Sequence, residues 1–105
     1  MTVTEITTEA QLDQLIAANK LVVIDFYADW CGPCKAFAPT FHTLADATPG
    51  VAFVKVNVDN LEEVAARFEI SAMPTFVFLK EGKEHKKQIG AKESEFKENL
   101  AKLAL

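Results

Sequence analysis

The chain has 105 residues, half of them hydrophobic and eight of them Phe, which is enough apolar material for one core without metals or structural disulfides. Fifteen acidic residues against eleven basic ones leave a formal charge of −4, which excludes a binder of nucleic acid or anionic membrane, since those need clustered Lys and Arg facing phosphate. No stretch approaches the roughly 18 apolar residues of a membrane span, and the first five residues have no basic region or apolar run of secretory type. A soluble protein of a reducing, cytoplasmic compartment is expected.

No internal repeat, low-complexity segment or linker interrupts residues 1–105. Val3 to Ile6 predicts a short strand, and Thr8 is a candidate N-cap for a helix over Glu9 to Ala18, whose Leu12, Leu15 and Ile16 share a face. Leu21 to Ala28 is nearly all apolar, as expected of a strand buried on both faces of a parallel sheet, and its one charge, Asp25, is out of place there. From Pro33 to about Ala47 a helix carries the stripe Phe37, Phe41, Leu44 and ends at Thr48-Pro49-Gly50. Pro39 lies inside it and predicts a kink. Val51 to Val58 is a further strand, interrupted by Lys55, and Leu61 to Phe68 has the spacing of a short helix. Thr75 to Leu79 and Glu84 to Ile89 form an antiparallel hairpin around Lys80-Glu81-Gly82-Lys83, and Glu93 to about Leu103 is a last helix with Phe96, Leu100 and Leu103 inward. The order β-α-β-α-β-α-β-β-α implies an α/β protein: a mixed central sheet of five strands flanked by four helices.

The two cysteines, Cys31 and Cys34, are three positions apart. A disulfide closing so short a loop contributes about 2 kcal/mol at best, so the pair suits opening and closing better than stapling. Cys31 sits where a strand gives way to a helix, and the free amide groups and positive end of that helix favour its thiolate, which makes it the nucleophile. Cys34 lies one turn further on, placed to attack a mixed disulfide at Cys31 and expel the reduced substrate. Gly32 removes bulk beside the attacking sulfur, and Pro33 suits a first helical turn, where its missing N–H costs nothing. Half of a zinc site is the competing reading, but it needs about two more ligands. His42 is roughly 12 Å along the helix from Cys34, and His85 lies in the hairpin. Both histidines are expected at the surface, as are the Lys-rich stretches 83–87 and 92–102. From the residues alone, Asp25 and Lys55 could be solvated strand-end groups or functional ones, Trp30 could belong to the core, and Gly90 could serve a turn.

The run Val23-Ile24-Asp25-Phe26-Tyr27-Ala28-Asp29-Trp30-Cys31-Gly32-Pro33-Cys34-Lys35, with Ala38-Pro39, Met73-Pro74-Thr75 and Gly90-Ala91 downstream, resembles the thioredoxin family over essentially the whole chain. The resemblance implies the thioredoxin fold as a single domain over 1–105. It further implies that Asp25 lies behind the disulfide as proton acceptor for Cys34, that Lys55 modulates Asp25, and that the Met73-Pro74 bond is cis. Trp30, Gly32, Pro33, Met73, Pro74, Gly90 and Ala91 would then form the substrate-binding surface, with the backbone of Met73 as a short edge for an extended peptide. A Gly-Pro pair between the cysteines resembles the reducing members. The implied activity is that of a monomeric protein-disulfide reductase with no bound cofactor, regenerated by thioredoxin reductase at the expense of NADPH. Ribonucleotide reductase, peroxiredoxins and methionine sulfoxide reductases are the client classes it suggests. The rival readings are a redox-gated interaction module or structural subunit, and a net disulfide isomerase or oxidase. Tyr27 departs from the Trp that many members carry, a change expected to affect packing more than chemistry.

Overall fold

The computed structural model describes residues 2–105. Its elements follow the predicted order: β1 (Val3–Glu5), α1 (Glu9–Ala18), β2 (Leu21–Tyr27), α2 (Gly32–Ala47), β3 (Ala52–Asn57), α3 (Glu62–Arg67), β4 (Thr75–Lys80), β5 (Lys83–Ile89) and α4 (Glu93–Leu103). The five strands form one sheet in the order β1-β3-β2-β4-β5. β3 runs parallel to both β1 and β2, whereas β4 is antiparallel to β2 and β5.

β2 lies at the centre of the sheet, which is why its sequence is almost continuously apolar. Alternate side chains point to opposite faces, so Val22, Ile24 and Phe26 pack with Leu12 of α1 and Val64 of α3. Val23 packs on the other side with Phe37 and Phe41 of α2 and Phe96, Leu100 and Leu103 of α4. Phe96 is the hub of that layer: its ring centroid lies 5.3 Å from Phe37, 5.9 Å from Phe41, 4.9 Å from Phe76 and 5.4 Å from Phe78. Most of these contacts are tilted or edge-on, the arrangement favoured by the ring quadrupole.

Local chemistry sets the boundaries. Thr8 caps α1 by accepting the Gln11 amide at 3.1 Å, while the Gln11 side chain accepts the Thr7 amide at 2.8 Å. The hairpin is tighter than the four-residue turn expected from sequence: β4 extends to Lys80, β5 starts at Lys83, and only Glu81 (φ 54°) and Gly82 (φ 79°) turn the chain. Two positive φ values in succession make the kind of turn whose twist matches the strands it joins. α2 begins at Gly32, one residue before the expected start, and continues as helix through Pro39. The edge strand β5 carries Lys83, Lys86 and Lys87, charges that oppose pairing with another sheet edge. His42 and His85 are exposed, as expected. Among the described residues no helix is long and apolar enough to cross a membrane.

Candidate active site at the start of helix α2

β2 ends at Tyr27, and the segment Ala28 to Trp30 delivers the chain to Cys31, the N-cap of α2. An N-cap residue ordinarily offers a side-chain oxygen to the free amide of the third helical residue. Here Cys31 Sγ takes that place, accepting the Cys34 amide at 3.2 Å. Cys31 and Cys34 form a disulfide with a Cα–Cα distance of 5.3 Å. Both are 5% exposed, while Gly32 and Pro33 between them face solvent. The pair packs with Ala28 and against Tyr27, Val58 and Met73.

The Met73-Pro74 peptide bond is cis. Met73 is half-buried beside the disulfide and Pro74 is buried. The Gly90 amide donates to the Pro74 carbonyl at 2.9 Å, tying the end of β5 to this loop, and Gly90 has φ 99°. Ala91 is half-buried and packs on the aromatic layer beneath α2 and α4. Trp30 is 69% exposed, and its indole N–H donates to Asp59 Oδ2 at 2.9 Å. It is a surface residue held by a carboxylate, not part of the core.

Asp25 lies in the middle of β2, 2% exposed, and its Oδ1 has no hydrogen-bond partner within the protein. It shares a sheet face with Val23, the face on which α2 packs. Burial raises its pKa from 3.8 to about 7, against the pull of the Lys55 cation and with a further upward push from Glu5. Lys55 is the register partner of Asp25 across β2 and β3 and is half-buried. Its ammonium lies over the Tyr27 ring, 4.3 Å from the centroid. A cavity of about 360 Å³ separates Tyr27, Asp29 and Lys55 from Cys34, Lys35 and Ala38 of α2. A carboxyl titrating near neutrality on the sheet face that α2 covers has the acidity suited to exchanging protons with a thiol. No group of three or more His, Cys, Asp or Glu among the described residues could hold a metal ion, so the zinc reading of the cysteines finds no further ligands.

Three residues of this region were not singled out from sequence. Ile89 is 64% exposed immediately before Gly90 and pairs in register with Thr75, the residue after Pro74. Its signal was an Ile closing the otherwise polar strand Lys83 to Gln88. Asp59 and Glu5, which bond Trp30 and Tyr27, lie 29 and 22 residues from their partners, and nothing local marks them.

The thioredoxin family pattern matches residues 3–102. The chain is 50% identical over 99 residues to Thioredoxin H1 of Arabidopsis thaliana, covering 91% of this chain and 87% of that one. It is 46% identical over 99 residues to Thioredoxin-1 of Saccharomyces cerevisiae, with 94% and 96% covered. The X-ray structure of Fasciola hepatica thioredoxin superimposes with a TM-score of 0.92 at 46% identity, covering 94% of this chain and 97% of that one. Likeness of this extent, joined to a disulfide that caps its own helix, places the chain in the thioredoxin family, as a thiol-disulfide oxidoreductase with protein-disulfide reductase activity.

Proposed function

We propose that Cys31 is the nucleophile and Cys34 the resolving thiol of a two-step reduction. The Cys31 thiolate attacks one sulfur of a client disulfide, forming a Cys31–client bond and releasing the other client sulfur as a thiolate. The Cys34 thiolate then attacks Cys31 Sγ, which closes the Cys31–Cys34 disulfide and releases the second client thiolate. Two electrons pass to the client, and each released sulfur takes up a proton. The observation that carries this assignment of roles is the capping geometry: Cys31 Sγ accepts the Cys34 amide at the positive end of α2, where a thiolate is favoured over a thiol.

Asp25 serves as proton acceptor for Cys34, modulated by Lys55, a role supported by its burial, its near-neutral titration and the cavity between Lys55 and Cys34. Clients bind across the surface of Trp30, Gly32, Pro33, Met73, Pro74, Gly90 and Ala91, to which we add Ile89. The exposed Trp30, next to Cys31 in the chain, and the exposed Ile89, paired with Thr75 next to Pro74, support this placement, since apolar groups left in water are suited to shallow, tolerant recognition. Thioredoxin reductase, drawing on NADPH, regenerates the dithiol, and the clients include ribonucleotide reductase, peroxiredoxins and methionine sulfoxide reductases. The protein works as a monomer in the cytoplasm, where a reducing environment suits a dithiol that must be restored after each turnover.

Insulin-disulfide reduction with NADPH and thioredoxin reductase tests the reading. The wild-type chain is expected to accelerate precipitation of the insulin B chain, and the double variant Cys31→Ser/Cys34→Ser to lose this entirely. A double variant that retained the activity would rule out the dithiol mechanism.

A further inference from the structure

Glu5, Lys55 and Asp25 are successive register partners across β1, β3 and β2, so their side chains leave one face of the sheet in a row. Tyr27, two residues beyond Asp25, shares that face. Its hydroxyl donates to Glu5 Oε1 at 2.8 Å, and its ring lies under the Lys55 ammonium at 4.3 Å. Lys55 forms no salt bridge among the described residues, so the aromatic face is the contact that orients its cation. Tyr27 and Lys55 both line the cavity that reaches Cys34.

We propose that Tyr27 is a positioning residue for proton exchange at Asp25: anchored to Glu5 by its hydroxyl, it holds the Lys55 ammonium at the wall of the cavity leading to Cys34. A lysine on a four-carbon stem, freed from such a face, turns its head group toward water. The anchored ring limits that freedom, and a cation over an aromatic face is held without a carboxylate that would neutralise it. Tyr27 thereby does more than fill the space of the Trp that many family members carry. The charges that act on Asp25 are Lys55 from β3 and Glu5 from β1, and its register partner on β4 is apolar Phe76; the cavity that Tyr27 and Lys55 line also carries Asp29 from the loop and Cys34 and Lys35 from α2.

The inference rests on Asp25 exchanging protons with Cys34, but its test observes Asp25 directly. Carboxyl-carbon NMR titration of the oxidised chain follows the Asp25 midpoint in the wild type, Tyr27→Leu, Lys55→Gln and the double variant. Because the Lys55 cation favours ionised Asp25, releasing it should raise the midpoint, by about half a pH unit in Tyr27→Leu. In the Lys55→Gln background the same substitution should add no further rise. Tyr27→Phe, which keeps the ring and removes only the anchor, should lie between wild type and Tyr27→Leu, and it carries the test alone if Tyr27→Leu does not fold. An unmoved midpoint, or an equal rise with Lys55 absent, overturns the proposal. Separately, an Asp25→Asn variant that reduced insulin at the wild-type rate would remove the Asp25 role itself, whatever the titration shows.

Discussion

The backbone amide of Cys34 points at the sulfur of Cys31, 3.2 Å away, so the two cysteines are joined by the hydrogen bond that starts helix α2. This contact makes the two sulfurs inequivalent. One caps the helix at its positive end and the other stands a turn inside it.

That inequivalence predicts asymmetric trapping. Cys34→Ser should accumulate mixed disulfides with client proteins through Cys31, visible as bands on non-reducing gels that vanish with dithiothreitol. Cys31→Ser should accumulate few or none. Equal trapping by the two variants would mean that the roles are not divided as proposed.

Asp25→Asn should stabilise the oxidised protein in a pH-dependent way. The folded carboxyl keeps its proton up to about pH 7, whereas an Asp carboxyl in water loses it near pH 3.8. Between those values the folded state binds more protons than the unfolded one, so wild-type stability falls as pH rises through this window and levels off above it. Asparagine removes that fall. The gain at pH 8 should approach about 4 kcal/mol, an upper bound from roughly 3 pH units at about 1.4 kcal/mol each, and the pH-dependent part should vanish near pH 3. Denaturant titration at the two pH values measures it, and the same variant should turn over insulin disulfides more slowly. Equal gains at both pH values would contradict a buried, titrating carboxyl.

Asp59→Ala should loosen Trp30. The indole is 69% exposed and is held by one hydrogen bond to Asp59. Losing a bond of this kind costs about 1 kcal/mol of positioning, or roughly a fivefold rise in KM for protein clients. Turnover at saturating client should change little. Since Trp30 is the only tryptophan in the chain, its fluorescence anisotropy should fall in the variant, and unchanged anisotropy would show that Asp59 does not restrain it.

Phe96→Ala should be among the most damaging core substitutions. Phe96 is fully buried and touches aromatic rings from α2 and β4 at once. A Phe-to-Ala change at such a site costs about 3–5 kcal/mol, and thermal denaturation should show it without altering the reactivity of the dithiol in the molecules that remain folded.

The order of the elements was legible from the sequence because the signals that set it are local. Apolar periodicity marked α1, α2 and α4, a continuous apolar run marked the central strand, and Thr8 marked the first cap. The dithiol was legible for the same reason, since Cys31 and Cys34 are a turn apart and their chemistry follows from a helix start. The hairpin turn was tighter than expected because its length depends on how far the paired strands extend, a property of β4 and β5 together. The family resemblance supplied the expectations for Asp25, Lys55 and the cis bond at Pro74, which residue spacing alone left open. What the sequence by itself determined was therefore the succession of helices and strands and the reactive turn between β2 and α2. Only the tertiary structure decided that Glu5, Lys55, Asp25 and Tyr27 share one sheet face, that Asp59 holds Trp30, and that Ile89 stands exposed at the end of β5 opposite Thr75. Those pairings depend on strand register and loop position, which are set when distant apolar faces pack together and not by any run of consecutive residues.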